Sequence, residues 1–330
     1  MSDARVTNAV MSNAVMSNAG VSAAGQEAPL KLGIVTPVLS MNPRVGQPWE
    51  LTATPDDIRV IAQEADRLGF HHLTCSEHVA VPSQAVSATG QARGTRYYDP
   101  AVTLSWMAAV TSRIALATHV LVGAYHHPLQ VAKTYGTLDV LSGGRVILGV
   151  GVGSLHEEFE LLDVPFADRG ARTDDFLSGL RSAWGVAEPE YDGAFFRFSD
   201  LVVDPCALTT DPTIWIGGRT ARSLRRACEL GSGWVPFGLN DQQLSGLLTE
   251  LRNSQFWEER DRPFDVVLGA EELDPVNDPH RSLDRLRSLQ ELGATHVNLR
   301  MLQNSLSQFV EQLEAVSSLG ILPSIDPTES

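Results

Sequence analysis

The sequence predicts an α/β fold, a closed (β/α)8 TIM barrel with inserted loops, and three observations point to it. From Lys31 onward, short apolar runs of strand length alternate with longer amphipathic stretches of helix length. Eight such pairs follow one another, and because each parallel pair needs a helical crossover, eight units close into a barrel. The competing arrangement, a doubly wound open sheet, places a glycine fingerprint after its first strand. Here that place is taken by Pro37.

The elements run in order. A strand over 32–36 stops at Pro37, and a Pro- and Gly-rich loop leads to Thr54-Pro55-Asp56-Asp57. That run sets a hydroxyl at the N-cap, proline at N1 and acids in the first helical turn. The helix buries Ile58, Ile61, Ala62, Ala65 and Leu68 and ends at Gly69. A strand over 71–75 leads into Ser76-Glu77-His78, and 82–98 reads as a long loop of the kind that forms a lid. Next come a helix over 100–112, a strand over 114–122, a helix over 129–141 closed by Ser142-Gly143-Gly144, and a strand over 145–150. A helix over 169–184 precedes alternating aromatic and polar residues at 191–205, an inserted hairpin. Strands over 213–216, 233–236, 264–268 and 296–299, each followed by a helix, complete the eight.

Composition narrows the function. The 330 residues carry a formal net charge of -15, which repels nucleic acid and anionic lipid, so neither is expected as a partner. Three cysteines without Cys-x-x-Cys spacing fit a reducing compartment, with Cys75 and Cys228 read as small buried hydrophobes. The first 29 residues contain a near-duplicate over 9–20 broken by Ser and Asn and lack a cationic cluster. They read as a disordered arm rather than a signal peptide. The expected organisation is therefore an arm over 1–29, one catalytic barrel over 30–322 and a tail over 323–330, in the cytoplasm.

In such barrels chemistry sits where strands end and helices begin. After the second strand, Glu77 and His78 set a carboxylate beside an imidazole, an acid–base pair or else a structural one. The doublets His71-His72 and His126-His127 lack a third ligand at helix spacing, so no metal is expected. After the fourth strand, Gly149-Val150-Gly151-Val152-Gly153-Ser154 is an imperfect dinucleotide fingerprint whose glycines would let a flat ring approach the backbone. After the fifth, Gly217-Gly218-Arg219-Thr220 opens a helix whose free N–H groups form an anion site, with a plain tight turn as the alternative.

Together these pieces resemble the luciferase-like monooxygenase superfamily, and within it the branch of F420-dependent oxidoreductases. The resemblance is carried by Ser76-Glu77-His78-Val79, Tyr125-His126-His127-Pro128, the run from Thr137 to Arg145 that ends Leu-Ser-Gly-Gly-Arg, Gly149 to Gly153, Val164 to Gly170, Ile214 to Gly218 and Leu230 to Trp234. These stretches keep family order over nearly the whole fold. The resemblance implies a small-molecule substrate, a homodimer, and F420 as cofactor with FMN as the alternative; a non-catalytic flavin-binding barrel is the further alternative. It implies that His78, with Glu77 where relatives often carry Asp, exchanges a proton with substrate, and the Glu77-His78 pair favours F420. Thr118, His119 and Val120 match a bulge, often with a non-prolyl cis peptide, that backs the cofactor ring. Val152, Gly153 and Ser154 match the segment along its edge, and Gly217, Gly218 and Thr220 match the phosphate turn. The chain departs at Ser154, where relatives often carry a larger or acidic residue, and at His119, bulkier than the common small residue.

Overall fold

Eight parallel strands close on themselves in the computed structural model, which describes residues 29–41, 46–83, 94–260 and 262–322. The expected arm and tail, and most of the expected lid over 82–98, lie outside the described residues. The barrel strands are β1 (Lys31–Ile34), β2 (His72–Cys75), β3 (Ala115–Thr118), β4 (Val146–Gly151), β5 (Ile214–Gly217), β6 (Gly233–Val235), β7 (Asp265–Leu273) and β8 (His296–Met301). The ring shuts where Lys31 of β1 pairs with His296 of β8, and its other half is continuous through Leu116 of β3 beside Val146 of β4. The third strand is shorter than its apolar run. It breaks after Thr118 and resumes as Leu121–Val122 against Val150 and Gly151 of β4.

Helices α1 (Pro55–Arg67), α2 (Pro100–Ala108), α3 (Pro128–Ser142), α4 (His156–Leu161), α5 (Arg169–Ala183), α6 (Ala221–Leu230), α7 (Asp241–Arg252), α8 (Gln255–Glu258), α9 (Pro279–Glu291) and α10 (Leu306–Ser318) surround the strands. The start of α1 is the capping box its sequence specifies, with Thr54 Oγ1 accepting from Asp57 N–H and the Asp57 carboxylate accepting from Thr54 N–H. α3 ends at Gly143, whose φ of 73° needs a residue without a side chain. The inserted hairpin is narrower than its sequence pattern, pairing only Tyr191–Asp192 with Arg197–Phe198. The Asp175 carboxylate accepts from the Ala194, Phe195 and Phe196 N–H groups and so holds its turn.

Strand alternation divides the apolar residues into two layers. Leu32, Ile34, Leu73, Leu148, Ile214, Ile216, Val297 and Leu299 belong to the large core packed beneath the helices. Ala117, Ile147, Trp215, Val235 and Val267 form a separate cluster inside the barrel. The N-terminal floor of the barrel is polar and aromatic. The His72 ring fills the space over Gly33, where a Cβ would come within 2.0 Å of its Cε1. It meets Trp215 edge-on, as does His296. Trp215 Nε1–H donates to Asp265 Oδ2 at 2.9 Å, and His72 Nε2 lies 2.6 Å from Asn298 Oδ1. Burial and neighbouring cationic character hold these rings neutral, with His71 and His72 pushed down to about 3 and His296 to about 2.

The floor also explains the Leu-Ser-Gly-Gly-Arg run. Arg145 donates to the carbonyls of Ala108, Thr111, Ile114 and Ser142, tying the ends of α2 and α3 to the start of β3. Beside it the Asp66 carboxylate accepts from the Ser112, Arg113 and Ile114 N–H groups. Cys75 and Cys228 are buried as expected, and burial pushes their thiols up to about 12 and about 11, too high for a nucleophile. Among the described residues no helix is long and apolar enough to cross a membrane.

Candidate active site

The three residues after β2 have different jobs. Ser76 Oγ donates to the His119 carbonyl at 2.8 Å. Glu77 accepts from the Val122 N–H at 2.7 Å, and its other oxygen lies 2.7 Å from His126 Nε2. Both side chains therefore fix the break in the third strand. Only His78 faces the mouth. Its carboxylate partner is not its sequence neighbour but Glu158, whose Oε2 lies 2.8 Å from His78 Nδ1. This corrects the expected Glu77–His78 acid–base pair: Glu77 holds backbone, and Glu158 holds the imidazole.

Glu158 sits on α4, a helix that the sequence patterning did not separate from the preceding turn. Its residue is 1% exposed, and it also accepts from the N–H groups of Val79 and Ala80 and from the Tyr125 hydroxyl at 3.1 Å. Burial opposes its charge. The His78 hydrogen bond and charge, with the two N–H groups, outweigh burial and keep the carboxyl below its ordinary range. An ionised Glu158 orients the Nδ1–H of His78 toward itself and leaves Nε2 for exchange. Tyr97 packs edge-on against the imidazole, with ring centroids 4.4 Å apart, and Phe159 meets Tyr125 edge-on behind it.

The wall beside this pair is the third-strand break. The His119–Val120 peptide is cis, at the place the resemblance names. Thr118 is buried and donates its hydroxyl to the Gly149 carbonyl at 2.8 Å, so it braces the wall and offers nothing to a ligand. His119 and Val120 are half-buried at the inner surface. His119 Nε2 lies 3.4 Å from Asn298 Nδ2, and burial, with the nearby Arg300 charge, pushes its imidazole down to about 4.

The glycine series after Ile147 serves this wall rather than a ring. A Cβ on Gly149 would lie 2.1 Å from the Thr118 carbonyl oxygen, and one on Gly151 would lie 2.7 Å from Val120 Cγ2. Gly153 has a φ of 77° and closes on Phe159 and Val122. The direct approach of a flat ring to these glycines is thus corrected: Thr118, Val120 and Val122 of the third-strand break, with Phe159 of α4, occupy that space. Val152, half-buried, and Ser154, exposed, carry the chain from this wall to α4.

Next to this wall, beyond β4, β5 ends at Gly217, which lies against Val120. Gly218 follows with a φ of 150°, and a Cβ there would lie 2.4 Å from that of Ser223. Thr220 and Ser223 cap each other's N–H groups at the start of α6. Among the described residues the Ala221 and Arg222 N–H groups have no protein acceptor. Arg219 projects beside them, exposed, 5.9 Å from the Phe237 ring centroid. This helix end fits a phosphate.

Comparison with known proteins agrees with this architecture. The luciferase-like monooxygenase family profile matches residues 31–273. The chain belongs to that family. An uncharacterised Mycobacterium tuberculosis protein is 31% identical over 268 residues, covering 77% of this chain and 91% of its own. The F420-dependent hydroxymycolic acid dehydrogenase of M. tuberculosis is 29% identical, over 56% of this chain and 50% of its own. The flavin-dependent trigonelline monooxygenase oxygenase component of Acinetobacter baylyi is 25% identical, over 64% of this chain and 58% of its own. Among solved structures, the F420-dependent tetrahydromethanopterin reductase of Methanopyrus kandleri superimposes with a TM-score of 0.68 at 16% identity, covering 88% of this chain and 98% of its own.

In this luciferase-like barrel the residues expected at the mouth fall into two groups. His78, His119, Val120, Val152, Ser154, Gly217, Gly218 and Thr220 lie on the strand ends and turns around one opening. Glu77, Thr118 and Gly153 are spent on the wall behind it. The doublet His126-His127 is structural as well, His126 on Glu77 and His127 accepting from the Leu129 N–H to cap α3. Sequence reasoning missed Glu158 and Arg300. Glu158 had a signal, since Leu155, Glu158, Phe159 and Leu162 share one helical face and a carboxylate within an apolar stripe needs a partner.

Proposed function

We propose that the chain is an oxidoreductase transferring a hydride between coenzyme F420 and a small organic substrate, with His78 moving the accompanying proton. The observation that carries this reading is the His78–Glu158 pair at the C-terminal mouth, its Nδ1 held at 2.8 Å and its Nε2 left for exchange. In the direction of alcohol oxidation, His78 Nε2 accepts the hydroxyl proton, and the Glu158 carboxylate stabilises the imidazolium that forms. In the reverse direction His78 returns that proton to the carbonyl oxygen. When bound, the deazaflavin supplies the hydride acceptor or donor. The start of α6 fits its phosphate through the Ala221 and Arg222 N–H groups, with Thr220, Gly218 and Arg219 around them. Val120, packed against the inner cluster, and Gly217 beside it form the surface that a ring would face.

FMN is the second reading, favoured by the flavin-dependent relative, whose identity is close to that of the F420-dependent one. The same mouth would then serve a reduced flavin and dioxygen. The weight on F420 no longer rests on Glu77 but on the buried carboxylate behind His78, which hydride transfer to or from a carbonyl uses and oxygen activation does not require. The test is a substrate screen. Oxidised F420 with secondary alcohols, and reduced F420 with ketones, is followed at the deazaflavin absorbance band. Turnover that His78→Ala lowers at least a hundredfold supports the proposal. Oxygen consumption with reduced FMN, and none with F420, overturns it.

A further inference from the structure

The inner face of β8 carries three polar residues in alternation, His296, Asn298 and Arg300, rising from the floor to the mouth. The first two are matched. His296 packs on His71 and Trp215, and Asn298 bridges His72 and His119. The third is not: among the described residues the Arg300 guanidinium makes no hydrogen bond and no ion pair. It is half-buried and lines a small cavity with Val35, Thr36, Ser40, Glu50 and Gln303.

The one carboxylate among the described residues of that cavity wall is committed elsewhere. Glu50 is 3% exposed and accepts from the Val38 N–H at 2.7 Å, the Gln47 N–H at 2.9 Å and Gln303 Nε2 at 3.1 Å. Gln303 is itself held by the Trp49 indole N–H. A guanidinium beside a saturated carboxylate has five donors to offer, and none of the Arg300 nitrogens is sealed from solvent, so a ligand can reach them. The overall charge of -15 disfavours anions near this protein, so a cation at its mouth with no partner among the described residues is a local exception.

Barrel order separates Arg300 from the phosphate turn. Going round the ring from β8 through β7 and β6 to β5, the turn before α6 lies three strands away, and it faces β1, the neighbour of β8, across the mouth. One ligand phosphate at α6 therefore leaves Arg300 open for a second negative group.

We propose that Arg300 is a substrate-anchoring residue that binds an anionic group, a carboxylate or a phosphate, on the molecule that enters this mouth. The proposal rests on the oxidoreductase reading for the word substrate, but not for the binding itself. A substrate so held presents its anionic end to β8 and its reacting carbon to the opening flanked by His78.

The test is ligand-observed NMR titration of the protein, both free and loaded with whichever of F420 or FMN it binds. The probes are butanoate and propyl phosphate, with butanamide and 1-propanol as neutral counterparts. The expected result is that at least one anion binds tenfold or more tightly than its neutral counterpart. Which anion does so assigns the group. Arg300→Gln removes that preference, Arg300→Lys keeps part of it, and both variants melt within a few degrees of the parent and change cofactor affinity less than twofold. Equal binding of anions and neutral probes, or an unchanged preference in Arg300→Gln, overturns the proposal. So does a tenfold loss of cofactor affinity in that variant, which gives the guanidinium to the cofactor. Arginine-dependent anion binding by a protein that takes up neither F420 nor FMN supports this site and counts against the hydride-transfer reading alone.

Discussion

The floor and the mouth of this barrel are built from the same residue types and differ in how completely they are paired. At the floor, His72, Trp215, Asp265 and Arg145 each have protein partners, and the buried histidines are held neutral. At the mouth, His78 is held through one nitrogen, Arg300 is unmatched among the described residues, and the start of α6 presents N–H groups without acceptors. Pairing makes the floor a structural plug, and incomplete pairing makes the mouth a place for chemistry. Leu-Ser-Gly-Gly-Arg, one of the runs that carry the family resemblance, belongs to the floor.

The comparison breaks most visibly at His78. His78→Ala is expected to lower turnover about 10²- to 10⁴-fold, the usual worth of a positioned acid–base group, while cofactor affinity and melting temperature stay near the parent's. Steady-state kinetics beside a binding titration separates the two. A matching loss of stability would move His78 into the structural class.

The floor responds to pH instead. His72 and His296 have folded values far below the ordinary 6.5, so between pH 6.5 and about 3 the unfolded chain binds protons that the folded one refuses. Their contribution is complete above pH 6.5 and is lost as pH falls. On the order of 2 kcal/mol per ring is expected to disappear by pH 5. Urea unfolding at pH 7 and pH 5 measures it, and identical midpoints would contradict the plug.

Gly33→Ala pushes a methyl into the His72 ring. A cost of roughly 1–3 kcal/mol is expected from overpacking, with cofactor affinity unchanged. Chemical denaturation reads the first, and fluorescence titration the second. The smallest effect belongs to the α6 cap. Thr220→Ala should cost about 1 kcal/mol in stability and should weaken a phosphate-bearing cofactor more than its dephosphorylated analogue.

Much of this architecture was legible because it repeats. Alternating apolar runs, the Thr54 cap and the Gly143 stop each carry a local signal, and all eight strands stand where their patterns predict them. The break in the third strand was not legible from residue type, since His119 and Val120 carry neither glycine nor proline; only the resemblance located it. The partner of His78 was hidden for another reason. Glu77 is adjacent in sequence and Glu158 is eighty residues away, yet the strand-end geometry turns Glu77 into the wall and α4 delivers Glu158. The glycines of β4 misled in the same way, because a space left by a missing side chain can be filled by the protein itself. Arg300 was readable by alternation along β8 once the polar members of that strand are grouped by face.

Deazaflavin binding at the mouth, above a closed floor, is what we propose. Equilibrium titration of the apoprotein with F420 and, separately, with FMN, followed by tryptophan fluorescence, tests it most directly. Micromolar or tighter binding of F420 with much weaker binding of FMN is the predicted result. The reverse preference, or binding of neither, would contradict it.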